Sequence, residues 1–445
     1  MQISAYDPAK FEYYVGQVLQ LESVACKDWL TNKVDRSVTG LIAGQQTCGE
    51  IQLPLNNLGV TAIGYNNKEG IATSMGHAPM VALVDSAAGS RMAISEALTN
   101  VVWAPLKDGI KGVSLSANWM WPCRNEGEDA RLYKAVKGAS DFACALGINI
   151  PTGKDSMSMT QKYPSGEKVL SPGTVIISTV APVEDINKIV HPNLQNNPDS
   201  VLMYIPFVNG GMAEAFPLAG SAFAQVTGQV GNVTPDVENP EYFAAAFASV
   251  QKLVSDGLLL AGHDISAGGM ITAALEMCFA NVNGGLAINA RALEMIAKEW
   301  GCAEGSDSIF KAMFSETPGV LVQVASGSVD TVAGVLAECG AQGYVIGNYL
   351  PARKVVLTGF GANNAVSLDI DAMRDVWFKT SYLFDIRQVG ETCAKERFQN
   401  YKAQPLVYKF PEGFTGSLSS YEGVATGSGS VLAPAADAPM AEAVH

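Results

Sequence analysis

Three short stretches carry side chains whose types and spacing could do chemistry. In Ser95-Glu96-Ala97-Leu98-Thr99-Asn100, Glu96 and Asn100 stand four residues apart. On a helix they share one face and can offer oxygens to a single hard cation, although the same spacing also describes an ordinary solvent-facing polar pair. In the stretch 258–269, an apolar run delivers His263 and Asp264 to its end, Ser266 stands where it could cap a following helix, and Gly268-Gly269 would let a ligand approach the backbone. Ends of this kind are where α/β proteins place phosphates and metals, and helix capping is the plainer alternative. The third stretch, Ile150-Pro151-Thr152-Gly153-Lys154-Asp155-Ser156-Met157-Ser158-Met159, sets Lys154 beside Asp155 and Ser156 in what reads as a turn stiffened by Pro and Gly. It is not a Walker loop, because the GxxxxGK[ST] spacing is missing and Asp follows the Lys.

Weaker features surround these. Gln52-Leu53-Pro54-Leu55-Asn56-Asn57 puts two amides at the end of a strand-like run, where a turn is the simplest use. Asn118-Trp119-Met120-Trp121 reads as aromatic core, and His77 and His191 stand isolated. No Gly-x-Ser-x-Gly, Cys-His pair or HExxH occurs, which leaves hydrolase chemistry of those kinds without support. The eight cysteines form no CxxC pair, so the expectation is free thiols in a reducing cytosol rather than zinc or disulfides.

The elements that would position these residues follow from periodicity. Apolar residues at Leu132, Val136, Ala139, Ala143 and Leu146 mark one face of a helix over 130–147, between strands expected at 113–120 and 173–180. Glu96 and Asn100 fall in a helix expected over 90–103. A polar connector at 183–198 marks a boundary, and a second unit follows with strands expected at 201–208, 257–263, 319–324 and 344–346 and helices at 243–254 and 268–280. Residues 355–359 and a helix over 373–384 close it, and residues 426–445, rich in Gly, Ser, Ala and Pro, read as a disordered tail. The class is α+β, with 1–35 as a leading segment, units at 36–185 and 195–360, an extension over 361–412 and the tail over 413–445.

Composition bounds the ligands. The 445 residues are 48% hydrophobic and 16% charged, with a net charge of −14, which suits globular domains and excludes wholesale disorder. An acidic surface argues against nonspecific binding of nucleic acid or anionic membrane, so a polyanion must be held locally by amides, a few cations or a metal. No stretch reaches the ~18 apolar residues of a membrane span, and residues 1–10 lack the apolar core of a signal peptide, which points to the cytoplasm.

Taken together, Ala25-Cys26-Lys27-Asp28-Trp29-Leu30-Thr31-Asn32-Lys33-Val34-Asp35-Arg36-Ser37-Val38-Thr39-Gly40, Glu96 to Asn100, Pro151 to Ser156 and Gly262-His263-Asp264-Ile265-Ser266 resemble, in this order, the second synthetase half of the large phosphoribosylformylglycinamidine synthases. The resemblance covers residues 20–412. It implies an AIR-synthetase-like fold whose first sheet joins a partner half in a barrel, and an ATP-dependent ligase reaction. In that reaction ATP phosphorylates the formamide oxygen of formylglycinamide ribonucleotide and glutamine-derived ammonia displaces the phosphate. It further implies that Glu96, Asn100 and Asp264 coordinate Mg2+, that Asn56 and Ser266 contact ATP or ADP, and that Lys154, Asp155 and Ser156 face a shared substrate pocket. Asn57 falls where the family has a metal-ligating Asp and offers an oxygen without a charge.

The first synthetase half and the glutaminase have no counterpart in these residues, so they are expected as partners in cis or in trans. On this reading the isolated chain binds Mg-nucleotide without turning over. Two other readings stay open. One is a noncatalytic scaffold stapled by nucleotide; the other is a self-dimerising synthetase of the same superfamily, for which residues 1–30 lack the required glycine-rich loop, having only Gly16.

Overall fold

The computed structural model describes residues 6–32, 34, 36, 40–210, 214–302, 305–360 and 365–403. After α1 (Phe11–Leu19) and α2 (Asp28–Thr31), the first sheet is built from β1 (Ile42–Gly44), β2 (Gly59–Ala62), β3 (Gly70–His77), β4 (Ser114–Met120), β5 (Asn149–Ser156) and β8 (Thr174–Val183). Their order is β1-β2-β3-β8-β4-β5, and β6 (Thr160–Lys162) with β7 (Lys168–Leu170) forms a separate ribbon. Helices α3 (Pro79–Val84), α4 (Ser86–Val101) and α5 (Glu128–Leu146) belong to this unit.

The second sheet contains β9 (Ser200–Pro206), β10 (Ala261–Asp264), β11 (Gly285–Asn289), β12 (Gly319–Ala325), β13 (Tyr344–Leu350), β14 (Lys354–Thr358) and β15 (Ala365–Asp369), ordered β10-β12-β9-β13-β11-β14-β15. With it come α6 (Ala222–Val226), α7 (Pro240–Ser255), α8 (Gly269–Phe279), α9 (Ala290–Glu299), α10 (Ser306–Phe314) and α11 (Val329–Cys339), followed by α12 (Ile370–Val389) and α13 (Glu391–Asn400). The α+β class expected from the sequence is the class observed. The tail expected over 413–445 lies outside the described residues, as do Lys33, Asp35 and Ser37 to Thr39 of the 25–40 motif.

Small residues set how closely β3 and α4 meet. Along β3 the residues alternate between buried and exposed, with Gly70, Ala72, Ser74 and Gly76 turned inward. A Cβ at Gly76 would stand 2.3 Å from both Ala93 O and Ala97 N, so β3 rides directly on the α4 backbone. The opposite face of the sheet carries Ile71, Met75 and Val180 at 43%, 64% and 45% exposure, with Thr73 paired to Val180 and Met75 to Ser178. An antiparallel sheet can turn one face to water, but the outward positions are then usually polar.

One apolar cluster runs through both sheets, drawing Leu98, Val101 and Trp103 from the first unit together with Phe247, Val250 and Ala261 from the second. Gln251 of α7 ties the units with hydrogen bonds: its Oε1 accepts from Leu106 N at 2.8 Å, and its Nε2 donates to Val102 O at 2.6 Å and Ala104 O at 2.8 Å.

The two ends of the described chain fasten to each other. Trp377 Nε1 donates to Val24 O at 3.0 Å, Trp29 stacks on Phe384 with ring centroids 4.7 Å apart, and Arg397 grips the buried Asp28 carboxylate through Nε at 2.6 Å and Nη2 at 2.7 Å. With Arg397→Ala, Asp28 keeps the Asn32 Nδ2 donor but loses its countercharge. The expected loss is about 2 kcal/mol in chemical denaturation. A change below about 0.5 kcal/mol would mean the pair behaves as an ordinary surface contact.

Candidate functional site

The polar face of α4 lies against the end of β3. Glu96 Oε2 accepts from His77 N at 2.7 Å and sits 3.6 Å from His77 Nδ1, raising the pKa of that ring against the opposing effect of burial. One turn on, Asn100 Nδ2 donates to Met75 O at 3.3 Å. The shared face expected for Glu96 and Asn100 is therefore present, and β3 holds both.

Asn57 reaches the second sheet, donating from Nδ2 to Gly262 O at 3.2 Å. Two residues beyond Gly262, the Asp264 carboxylate is 2% exposed. Asn57 Oδ1 and Asp264 Oδ2 are both buried with no hydrogen-bond partner among the described residues. These are acceptor-only oxygens, and burying one without a donor or cation costs about 1–3 kcal/mol. Beside them, His263 lies between Glu276 Oε2 at 3.1 Å and Asp264 Oδ1 at 3.2 Å, the latter contact out of hydrogen-bond alignment. Burial pulls the imidazole toward neutrality, but the two carboxylates outweigh it and lift the pKa to about 9.

Two clefts open here, one at Glu96 and one at Asn57, and neither is lined by Asn100, His263 or Asp264. One, of about 670 Å³, is lined by Glu96, His77, Ser95, Ser266, Glu316 and an apolar wall including Met80 and Met92. Ser95 Oγ is buried there without a partner. The other, of about 1220 Å³, is lined by Lys27, Asn56, Asn57, Thr73, Ser74 and Met75. Strand β3 contributes to both walls.

Several residues serve differently from their reading in sequence. Asn56 is fully engaged internally, with Nδ2 donating to Gln45 O and to Thr47 O at 3.1 Å and Oδ1 2.9 Å from His191 Nδ1. Its main-chain N–H is engaged too, donating to Gln46 O at 3.2 Å, and His191 is a buttress rather than an isolated ring. Ser266 does not cap α8: Gly268 holds the N-cap position, without a side-chain cap hydrogen bond, and Ser266 instead lines the smaller cleft. The turn expected at 150–159 is corrected to a strand, β5, at the edge of the first sheet. Lys154, Asp155 and Ser156 pair in parallel with Asn118, Trp119 and Met120, and Lys154 Nζ donates to Ser156 Oγ at 3.1 Å. They lie neither in the Glu96 cleft nor in the Asn57 cleft.

Two residues with a place in the site carry no local signal of their own. Lys27 is legible only as part of a motif; it lines the Asn57 cleft, and its ammonium donates to Ala25 O at 2.6 Å and to Glu22 O and has its pKa lowered by burial. Glu316, in Ser315-Glu316-Thr317-Pro318, reads locally as a polar turn, yet its Oε1 accepts from Ala222 N and from Gly268 N, each at 2.8 Å. Burial raises its pKa from 4.5 to about 7, partly offset by those two amides.

A carboxyl whose folded pKa lies above its unfolded one contributes stability below pH 4.5 and loses it as pH rises toward 7. The Gln variant does not titrate. Glu316→Gln should therefore gain about 2 kcal/mol relative to the parent between pH 5 and pH 8, after allowance for solvent in the cleft. Urea midpoints at the two pH values measure this, and parallel midpoints would contradict it.

Residues 26–182 match the FGAR-AT PurM_N-like domain, and residues 217–359 match the C-terminal domain of AIR synthase related proteins. A probable phosphoribosylformylglycinamidine synthase of Caenorhabditis elegans is 38% identical over 402 residues, covering 88% of this chain and 28% of the relative. The human phosphoribosylformylglycinamidine synthase is 35% identical over 384 residues, covering 85% of this chain and 27% of the relative. The chain thus spans under a third of the length of these relatives. Among solved structures, Thermotoga maritima PurL complexed with FGAR superposes with a TM-score of 0.58 at 12% identity, covering 83% of this chain and 54% of PurL. PurL complexed with ADP gives the same TM-score at 11% identity, covering 83% of this chain and 52% of that one. At such identity the likeness concerns the fold. Among the described residues no helix is long and apolar enough to cross a membrane.

Proposed function

We propose that the chain is a magnesium–nucleotide-binding half of a phosphoribosylformylglycinamidine synthase, with AIR-synthase-related units at 36–185 and 195–360. The observation that carries this reading is the pair of partnerless acceptors, Asn57 Oδ1 and Asp264 Oδ2, connected through the Asn57–Gly262 hydrogen bond. A hard cation satisfies such oxygens without supplying a donor. Among the described residues no group of three His, Cys, Asp or Glu could hold a metal, so the set rests on two carboxylates, Glu96 and Asp264, with the amide oxygens of Asn57 and Asn100. That donor set suits Mg2+, which keeps waters and phosphate oxygens in its shell, better than it suits zinc. When bound, the ion would offset the charge of a nucleotide's phosphates.

Ser266 and Asn56 would meet ADP or ATP, and Lys27 supplies a cation in an otherwise acidic protein. Lys154, Asp155 and Ser156 would face formylglycinamide ribonucleotide across the exposed sheet face, where Ile71, Met75 and Val180 would be covered by a second synthetase half. The ligase reaction then runs there. The formamide oxygen takes the terminal phosphoryl group of ATP as ADP leaves, ammonia from a glutaminase partner adds to the activated carbon, and phosphate departs to leave the amidine.

On this reading the 445-residue chain binds Mg-ADP yet shows no ATP-dependent amidine formation from the ribonucleotide and ammonium when assayed alone. Robust turnover by the isolated chain would contradict it. The internal engagement of Asn56 favours one alternative, a scaffold without nucleotide. Protein that releases no ADP on denaturation and takes up none when supplied would decide for that alternative.

A further inference from the structure

The turn that follows β10 has no cap of its own. Gly268 and Gly269 both adopt positive φ, +93° and +76°; Gly268, at the N-cap of α8, brings no side chain, while Gly269 N donates back to Ser266 O at 3.0 Å. The acceptor for the Gly268 N–H comes from 48 residues away in sequence. Glu316 lies in the loop that enters β12, the antiparallel neighbour of β10, where Asp264 pairs with Val320 and Ile265 N donates to Gly319 O at 2.9 Å.

That loop is itself held rigidly. Ser315 and Thr317 are each 2% exposed, Ser315 Oγ donates to Pro217 O at 2.7 Å, and the two hydroxyls lie 2.8 Å apart. From this mount a single oxygen, Glu316 Oε1, accepts from Gly268 N, just past the cleft-lining Ser266 and Ala267, and from Ala222 N, two residues after the cleft-lining Gly220. On the far side, Gly269 is wedged against α10, where a Cβ would come within 2.7 Å of Met313 O.

We propose that Glu316 is the positioning residue of this site: by bridging Gly268 and Ala222 it sets the place of the Ser266 turn, and of Asp264 before it, relative to the cleft wall. The role rests on the nucleotide reading given above only for its functional consequence.

The test uses the full chain with Glu316→Gln, Glu316→Ala and Glu316→Asp. Gln keeps an oxygen at the same reach, Ala removes it, and Asp is one methylene too short to serve both amides. Amide hydrogen exchange is followed in peptides covering 265–270, with peptides from α12 as control, beside ADP titration in Mg2+. Ala and Asp should speed exchange in the turn at least tenfold and weaken ADP at least tenfold, with α12 unchanged, while Gln retains both properties. Wild-type exchange in Ala and Asp, or a Gln variant as loose as Ala, would overturn the bridging role. If Ala does not fold, Asp against Gln decides. If the parent binds no ADP, the nucleotide reading falls and turn exchange alone judges Glu316.

Discussion

Glu96→Ala is expected to weaken Mg-dependent ADP binding about 100-fold, with Asp264→Asn showing a loss of similar size. Each substitution removes one of the two carboxylates of the proposed donor set, and a charge-assisted ligand contact is worth about 1.5–3 kcal/mol. The structural side effects differ, which makes the pair informative. Glu96→Ala frees the exposed His77 N to bond with water, a small cost. Asp264→Asn keeps the shape of a fully buried side chain and leaves His263 with Glu276 as its only carboxylate. Isothermal titration at one magnesium concentration reads both. Affinities within threefold of the parent would place the metal elsewhere.

Gly262→Ala is expected to destabilise the fold by about 3 kcal/mol and to disturb the site as well. Its Cβ would stand 2.0 Å from the Trp103 ring, which is fully buried and cannot swing aside. The strand would have to shift, carrying with it the Gly262 carbonyl that holds Asn57 and the Asp264 side chain two residues on. Gly16 is the contrast. It lies inside α1, and an added methyl there would meet nothing within 4 Å, so Gly16→Ala should gain about 0.5–1 kcal/mol through helix propensity. Chemical denaturation of the two variants side by side measures both, and equal stabilities would contradict the packing argument.

The long periodic elements are legible in the sequence, and the reason is physical. Helix α5, expected over 130–147, runs Glu128–Leu146; Ala139, Ala143 and Leu146 of the expected face are buried, but Val136 is 43% exposed, and Ala135, Gly138 and Phe142 complete the inward stripe instead. Helix α4 is longer than expected at its start, where Asp85 caps it by accepting from Ala87 N and Ala88 N. Strand β5 reads as a turn for an equally physical reason. Its Pro151 and Gly153 look like turn residues, but at this edge Pro spares a ladder donor, and a Cβ at Gly153 would stand 2.0 Å from Ala117 O. A register irregularity between Ser114 and Ser116 accommodates the mismatch with β4.

The chemistry at the site is legible only in part. Glu96 with Asn100 can be paired from helical spacing, and His263 with Asp264 from their place after an apolar run. What joins them cannot. The contacts from Asn57 to Gly262, from Asn56 to His191 and from Glu316 to Gly268 link residues 205, 135 and 48 positions apart. No local pattern encodes such separations: the first arises where the two sheets pack on one core, and the last from the pairing of β10 with β12.

The most direct measurement of the central claim is calorimetric titration of the purified chain with ADP, once in Mg2+ and once in EDTA. The account predicts one ADP per chain in Mg2+ and at least a hundredfold weaker binding in EDTA, because Asn57, Glu96, Asn100 and Asp264 reach the phosphates through the ion. Absence of binding in both buffers, or equal binding in both, would contradict it.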